Sequence, residues 1–394
     1  MAVKKGRRKN DTGVGAEPAP KSTGGFKKRT SIPIEPEVPE FSGELGKVIS
    51  SLTESGKYGT NPFKKGSSSK MDRSRSRTGV LTLDLCLGGG WAMSAAGMLY
   101  GEKSSGKTTM ALQAIAAHQA REDQAVAAWL DIEGTLDKRW AKKIGVDLDR
   151  LVIVEPETGE HAVDLADAML RSREISHCVT DSIAMLVPMK ELDESAEQET
   201  MGIQARLVGK YIRKTNNGIL RERQRGHEPI LIHINQFRMK IGLVFGDPRT
   251  LPGGKALEFS TTQQVETKNK EHQGKDDEKN DIVIFNEHNF KITKNKGGGP
   301  MKEGAFKLIR GQGTVGKEEY DMPEAWIDQA KTIYKFGSQV GVVTGAAQSF
   351  EVEGVNGKFR GAAAFNKWAI ENPQPYDDIQ EMIVNGFRKK WKIE

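Results

Sequence analysis

The run from Gly101 to Thr108, GEKSSGKT, has the residue types and spacing of a loop that wraps a phosphate chain. Gly101 and Gly106 let backbone N–H groups turn inward, with Glu102, Lys103, Ser104 and Ser105 forming the bend between them. Lys107 sets a positive charge on the β/γ oxygens of a nucleotide, and Thr108 offers a hydroxyl to Mg²⁺. Thr109 follows at the first turn of a helix whose N-terminus would point at the phosphates. An NTPase of this kind also needs a carboxylate at the end of a neighbouring strand to hold the metal through water. Asp181, which ends the apolar run HCVTD, meets that need. A second carboxylate must orient the attacking water. Glu133, at the end of AVAAWLDIE, is the leading candidate, and Asp131, two residues earlier, would share its face in a strand. Either acid taken alone also suits a helix cap or a turn. The pattern implies ATP and Mg²⁺ as ligands.

Such groups work only if rigid elements hold them. From about Thr78 to Gly313, apolar strand-like runs alternate with helical ones: AGMLYG then TTMALQAIAAHQA, AVAAWLDIE then DKRWAKKIG, LVIVEP then HAVDLADAMLRSR. HCVTDSIAML and ILIHINQ continue the series. This alternation predicts an α/β fold with a mainly parallel sheet between helices. Four regions follow: a disordered basic tail over 1–40, a helix and linker over 41–77, a core over 78–313, and a small α+β domain over 314–394. In the second region Leu45, Val48, Ile49 and Leu52 recur at helical spacing between Ser42 and Gly56. That helix has no core of its own and must dock on another body.

Charge is unevenly spread. The net charge is +6, which by itself is weak support for a polyanionic partner. Residues 1–30 carry nine Lys/Arg against two acids, and residues 61–80 carry six against one. Both stretches are polar and of one sign, which predicts disorder. They suit a solubilising tail or an arm that touches DNA. No apolar run reaches the roughly 18 residues of a membrane span, and no signal-peptide core follows the basic start. Cys86 and Cys178 lie outside any CxxC pattern, so a metal or disulfide framework is not expected and a cytoplasmic setting is.

Longer segments carry a resemblance. GEKSSGKTT, LDIEGTLDKRWAKKIGVDLDRLVIVEPETGEHAVDLADAMLRS, VTDSIAMLVP, INQFRMKIGLVFGDPRTLPGGKALEF, ITKNKGGGPMKEGAF and GAAAFNKWAIENPQ resemble the bacterial RecA recombinases in order and spacing. The likeness runs over roughly 42–385 and is close from 97 to 260. The INQFRMKIG…PGGKALEF block is its most specific part, because hexameric helicases share the phosphate loop but not this block. The resemblance implies a P-loop ATPase core of RecA type, a short N-terminal oligomerisation helix and a C-terminal DNA-capture domain. It implies a helical filament on single-stranded DNA that pairs with homologous duplex and exchanges strands using ATP.

Roles follow from the same resemblance. Lys107 and Thr108 match the phosphate and Mg²⁺ ligands, Asp181 the second metal-site carboxylate, and Glu133 the glutamate that activates water. Gln236 matches the glutamine that senses the γ-phosphate at the start of the second DNA loop. Asp137 and Trp140 match the adenine-contacting aspartate and aromatic, though Trp140 could also anchor its helix in a core. Lys294 and Lys296 match paired lysines that reach the γ-phosphate held by a neighbouring subunit, in the manner of an arginine finger. The DNA loops match Glu191–Gly202, with Met201 as an apolar wedge, and Phe237–Lys255, with Arg238, Lys240, Arg249, Gly253, Gly254 and Lys255. Arg206 and Arg213, seven apart on one helix, match phosphate-binding arginines.

The chain also departs from the family. Its first DNA loop, ELDESAEQETM, is strongly acidic, Glu258 replaces a basic residue beside Phe259, and Arg310 stands where the family has a tyrosine. Residues 268–290 depart altogether and predict a solvent-facing hairpin with a charged tip. The basic tail and the lack of an acidic C-terminal tail suggest a phage or divergent member. The terminal FRKKWK could capture duplex DNA or be a charged end. A ring-shaped helicase and a non-catalytic DNA-coating protein are the rival readings.

Overall fold

Strand residues alternate between two apolar cores, one on each face of a central sheet. The computed structural model describes residues 42–55, 63, 73–193, 201–239, 249–299 and 301–393. Its sheet comprises β1 (Ala95–Gly101), β2 (Val126–Asp131), β3 (Leu151–Val154), β4 (Ile175–Asp181), β5 (Ile230–Gln236), β6 (Gln263–Lys275), β7 (Asp281–Asn295), β8 (Glu303–Ile309), β9 (Gly313–Val315), β10 (Glu318–Tyr320) and β11 (Ile327–Asp328). The strand order is β11-β8-β7-β6-β1-β5-β4-β2-β3, with β9 pairing β6 and β10. Neighbours from β6 to β3 are parallel, while β6, β7, β8 and β11 pair antiparallel.

The helices are α1 (Gly43–Glu54), α2 (Leu81–Leu87), α3 (Lys107–Gln119), α4 (Lys138–Ile144), α5 (Gly159–Arg171), α6 (Met189–Asp193), α7 (Met201–Gln224), α8 (Gly254–Ser260), α9 (Ala330–Val340), α10 (Gly361–Glu371) and α11 (Pro373–Trp391). Among the described residues none is long and apolar enough to cross a membrane. Leu99, Trp129, Val179 and Ile232 face a core covered by α3 and α4. Their neighbours Met98, Leu130, Cys178 and Leu231 face the opposite core, covered by α5 and α7. A period of two across a doubly covered sheet therefore yields unbroken apolar runs in sequence. Both cysteines are free and buried.

Two segments differ from the sequence expectation, and a third agrees with it. Within the stretch 61–80, which the sequence predicts to be disordered, residues 73–80 are ordered, and Arg75–Ser76 pairs with Trp91–Ala92; residues 61–62 and 64–72 lie outside the described residues. Arg77 donates from Nε to Asp84 Oδ2 at 2.5 Å, and the Thr78 N–H donates to Asp84 Oδ1 at 2.7 Å. That buried ion pair anchors α2, a contact that composition alone hides. The boundary at 313/314 falls inside the sheet, since β9, β10 and β11 still belong to it. The separate cluster begins at α9, where α9, α10, α11 and the hairpin 343–352 enclose Phe350, Phe359, Phe365 and Ile383. The predicted hairpin over 268–290 is the distal part of β6–β7, its turn closed by the Asn280 N–H on Asp276 Oδ1.

Helix α1 keeps Leu45 and Val48 more than half exposed, while Ile49 is buried. The tail over 1–40 lies outside the described residues. Replacing Arg77 with Met removes the ion-pair partner of the fully buried Asp84 carboxylate. The expected cost is about 3–5 kcal/mol of unfolding free energy, measured by urea denaturation; a loss below about 1 kcal/mol would mean that the pair does not anchor α2.

Candidate functional site

The phosphate loop leaves β1 at Gly101 and enters α3 at Lys107, so the end of a central strand aims it. Gly106 has a φ of +91°. A Cβ there would run into the imidazole of His288, which rises from β7 beneath the loop. Glycine is thus required both by the backbone angle and by the space. On the other side Ser105 Oγ and Thr267 Oγ1 hydrogen-bond at 2.8 Å, tying the loop to β6. The antiparallel extension therefore floors the loop. His288 is 2% exposed and burial pushes its pKa down to about 4. Neither Thr267 nor His288 was legible as a site residue, because both lie near or within the segment that departs from any known motif.

Lys107 is buried and donates to the carbonyls of Glu102 (2.6 Å) and Gly101 (3.4 Å). Burial lowers its pKa, and the carboxylates of Asp181 and Glu133 partly offset this. Thr108 Oγ1 donates to Asp181 Oδ2 at 2.9 Å. Burial pushes Asp181 up to about 6, with the Thr108 hydrogen bond opposing and Glu133 and Asp131 adding to the rise. A carboxylate whose negative charge is disfavoured by burial and by two neighbouring acids, beside a hydroxyl, suits a divalent cation that would offset that charge. No cluster of three or more His, Cys, Asp or Glu side chains suited to a metal occurs among the described residues. The arrangement matches Mg²⁺, which takes few protein ligands and completes its shell with water and substrate phosphates.

Glu133 lies two residues beyond the end of β2. Its Oε1 accepts from Ser182 Oγ at 2.5 Å and from Gln236 Nε2 at 2.8 Å. Asp131, which shared its face in the sequence reading, turns away to accept from the Thr135 and Leu136 N–H groups at 3.1 and 2.9 Å. It is the turn residue of the pair. Asp137 caps α4 through Oδ1, accepting from the Arg139 and Trp140 N–H groups. Trp140 Nε1 donates to Thr109 Oγ1 at 3.2 Å, so the indole stands beside the loop, and the Arg310 guanidinium lies 4.3 Å from its ring centroid. Arg310 thereby supplies a cation–π contact to the indole.

Beyond Gln236 the chain forms a two-residue ladder, Arg238–Met239 with Arg249–Thr250. Residues 240–248 between the two, including Lys240, lie outside the described residues. Phe237 packs edge-on against Tyr100 at 5.5 Å and under Arg249 at 4.7 Å. Arg238 is exposed but donates to the Ala184 carbonyl at 2.6 Å. Gly253 caps α8, which starts at Gly254 and carries exposed Lys255. Arg206 and Arg213 are exposed on one face of α7. Met201 begins α7, and residues 194–200 of the acidic loop lie outside the described residues.

The lysine pair stands apart from this site. Lys294 is in register with Gln264, and Gln264 with Met98. That places it two strands from β1 and about 10 Å back from the strand ends that carry the phosphate loop. Its Nζ donates to the Glu258 carbonyl at 2.5 Å, beside the exposed Phe259. Lys296 lies just past the end of β7 and is exposed.

The family described as the RecA N-terminal domain matches residues 48–315. Protein RecA of Halalkalibacterium halodurans is 34% identical over 337 residues, covering 84% of this chain and 88% of that protein. Protein RecA of Streptococcus mutans is 33% identical over 309 residues, covering 78% and 75%. Protein RecA of Acinetobacter baumannii is 40% identical over 238 residues, covering 60% and 65%.

The buried His288 makes the loop's support sensitive to acid. Its folded pKa, about 4, lies below the ordinary 6.5. Its contribution is therefore complete above pH 6.5 and is lost as pH falls towards 4. His288→Leu, which cannot titrate, should lose less stability than the wild type over that window, by about 3 kcal/mol in full. Urea unfolding of both proteins from pH 7 to pH 4 measures it; parallel curves would contradict a buried neutral histidine.

Proposed function

The chain belongs to the RecA family, and from that premise we propose that Gln236 couples DNA engagement to ATP hydrolysis at Glu133, in filaments of this protein on single-stranded DNA. The family assignment carries the activity: this is an ATP-dependent DNA recombinase of recombination and repair, and a DNA-dependent ATPase. The observation that carries the finer reading is the 2.8 Å hydrogen bond from Gln236 to Glu133. It joins the residue at the mouth of the second DNA loop to the carboxylate best placed to act on water.

In this reading Lys107 and the loop N–H groups hold the β- and γ-phosphates, and Thr108 with Asp181 holds Mg²⁺. The cation would neutralise charge that develops on the phosphate oxygens. Glu133 orients water and accepts its proton as the bond to phosphorus forms. With its amide committed to Glu133, Gln236 occupies the carboxylate oxygen that would otherwise accept from water. An amide can donate equally well to a γ-phosphate oxygen. Moving the donor from Glu133 to phosphate frees the base and shifts the start of the DNA loop together. Trp140 offers its face to the adenine, and Asp137 marks the same edge.

Arg206, Arg213 and Lys255 supply exposed positive charge for the DNA backbone. Arg238 can join them only by leaving Ala184. Lys294 and Lys296 lie too far back to serve their own loop, which supports action on a nucleotide bound by the next protomer. Phe259 and the apolar face of α1 would then be covered by neighbouring protomers.

Two measurements test this. Turnover stimulated by single-stranded DNA should fall at least about a hundredfold in Glu133→Gln. Gln236→Ala should keep basal turnover and lose the stimulation. Undiminished stimulation in Gln236→Ala would refute the coupling. Separately, Lys107→Ala and Lys294→Ala should each lose about a thousandfold in turnover if both touch the transferred phosphate. Mixing them should restore part of the activity at hybrid interfaces, and no recovery would rule out action in trans.

A further inference from the structure

We propose that Arg75 and Arg388 form a binding site for a phosphate group, built where the start of the sheet meets helix α11. The site is distinct from the phosphate loop. Arg75 lies in the short strand paired with Trp91–Ala92, which leads into the beginning of β1, whereas the loop follows β1's end. The seven residues of β1 put about 20 Å between the two ends.

The arginines at 73, 75 and 77 alternate along one segment but have different fates. Arg77 is spent on Asp84. Arg75 donates from Nη2 to the Gly297 carbonyl at 2.5 Å, and its Nη1 is buried with no acceptor. Arg388 reaches the same place from α11, and its Nε is also buried with no acceptor. Among the described residues no carboxylate pairs with Arg73, Arg75 or Arg388. Burial first, then Arg388, then Arg73, pushes the Arg75 pKa down to about 10. A guanidinium deprived of water and set beside two like charges is unfavourable unless something negative completes the group.

The surrounding backbone is shaped for these side chains. A Cβ at Gly89 would stand 3.2 Å from Arg388 Cδ and 3.5 Å from Arg75 Cγ. One at Gly297 would overlap Arg75 Nη2 and stand 2.6 Å from Nη1. Two glycine runs, 88–90 and 297–299, thus make room for two guanidinium groups that have no carboxylate partner among the described residues. Donors that arrive from two elements suit a tetrahedral oxyanion, whose oxygens point in different directions. A planar carboxylate is satisfied by a single bidentate fork. The ligand is therefore a phosphate, either free or in a nucleic-acid backbone, and its binding would tie the C-terminal helical cluster to the sheet.

The test labels wild-type, full-length protein with phenylglyoxal and reads each arginine by peptide mass spectrometry. It is run in phosphate-free buffer, with inorganic phosphate, with a duplex oligonucleotide, and with potassium chloride at matched ionic strength. Inorganic phosphate at about ten times its Kd should slow Arg75 and Arg388 labelling roughly tenfold. Arg171, exposed and paired with Asp167, should be unaffected. Protection by phosphate assigns a free anion, and protection by the oligonucleotide alone assigns a phosphodiester backbone. In Arg388→Gln the protection of Arg75 should be lost by either ligand. Absence of protection from both, equal protection by chloride, or protection that persists in Arg388→Gln would overturn the site.

Discussion

Glu133 accepts two hydrogen bonds at once, and that double acceptance ties the catalytic end of the molecule together. Ser182 brings the end of β4, Gln236 the end of β5, and Glu133 itself the end of β2. Three strand ends can converge on one carboxylate only if they are parallel and in register. Asp131 opposite Asp181 and Thr180 opposite His233 set the register of these three parallel strands. In a partly buried site such bonds are stronger than in water, and leaving one unmade is costly. A change at Gln236 must therefore be felt at Glu133, and through Ser182 beside Asp181.

The antiparallel extension of the sheet does a different job. β6 and β7 floor the phosphate loop through Thr267 and His288, and the same strands carry Lys294 and Lys296 away from it. One hairpin thus supports its own loop and presents cations at a distance from it. Its open end, past Asn295, runs into the glycine run at 297–299, where Arg75 and Arg388 meet. Basic groups on this side of the sheet are held by backbone carbonyls, Lys294 by Glu258 and Arg75 by Gly297. A carbonyl positions a cation without neutralising it, so the charge stays available to an outside anion.

Much of this architecture was legible from residue order. The apolar runs specified a doubly covered parallel sheet, since a strand buried on both faces cannot alternate in polarity. GEKSSGKT specified the phosphate loop, Asp181 and Glu133 were legible as acids at strand ends, and the long block from Ile234 to Phe259 carried the family resemblance. Asp131 was not resolved from Glu133, because a period of two puts both on one face until the strand ends between them. The order of residues 73–80 was hidden too. An arginine-rich stretch reads as solvated unless its buried partner is known, and Asp84 is placed there by the turn into α2.

The sequence by itself therefore determined the chemistry available and the scaffold type, because spacing and polarity are local properties of the chain. Only the tertiary structure decided which groups share a partner. Glu133 with Gln236, Gly106 with His288, Trp140 with Arg310, and Arg75 with Arg388 are separated by 103, 182, 170 and 313 positions in the numbering. The first three pairs meet because the parallel crossovers and the antiparallel extension bring distant segments together around the loop that follows β1, whereas Arg75 and Arg388 meet at the other end of β1, where α11 reaches it. No local pattern encodes such meetings, since they depend on strand order, and strand order is set by how the whole core packs.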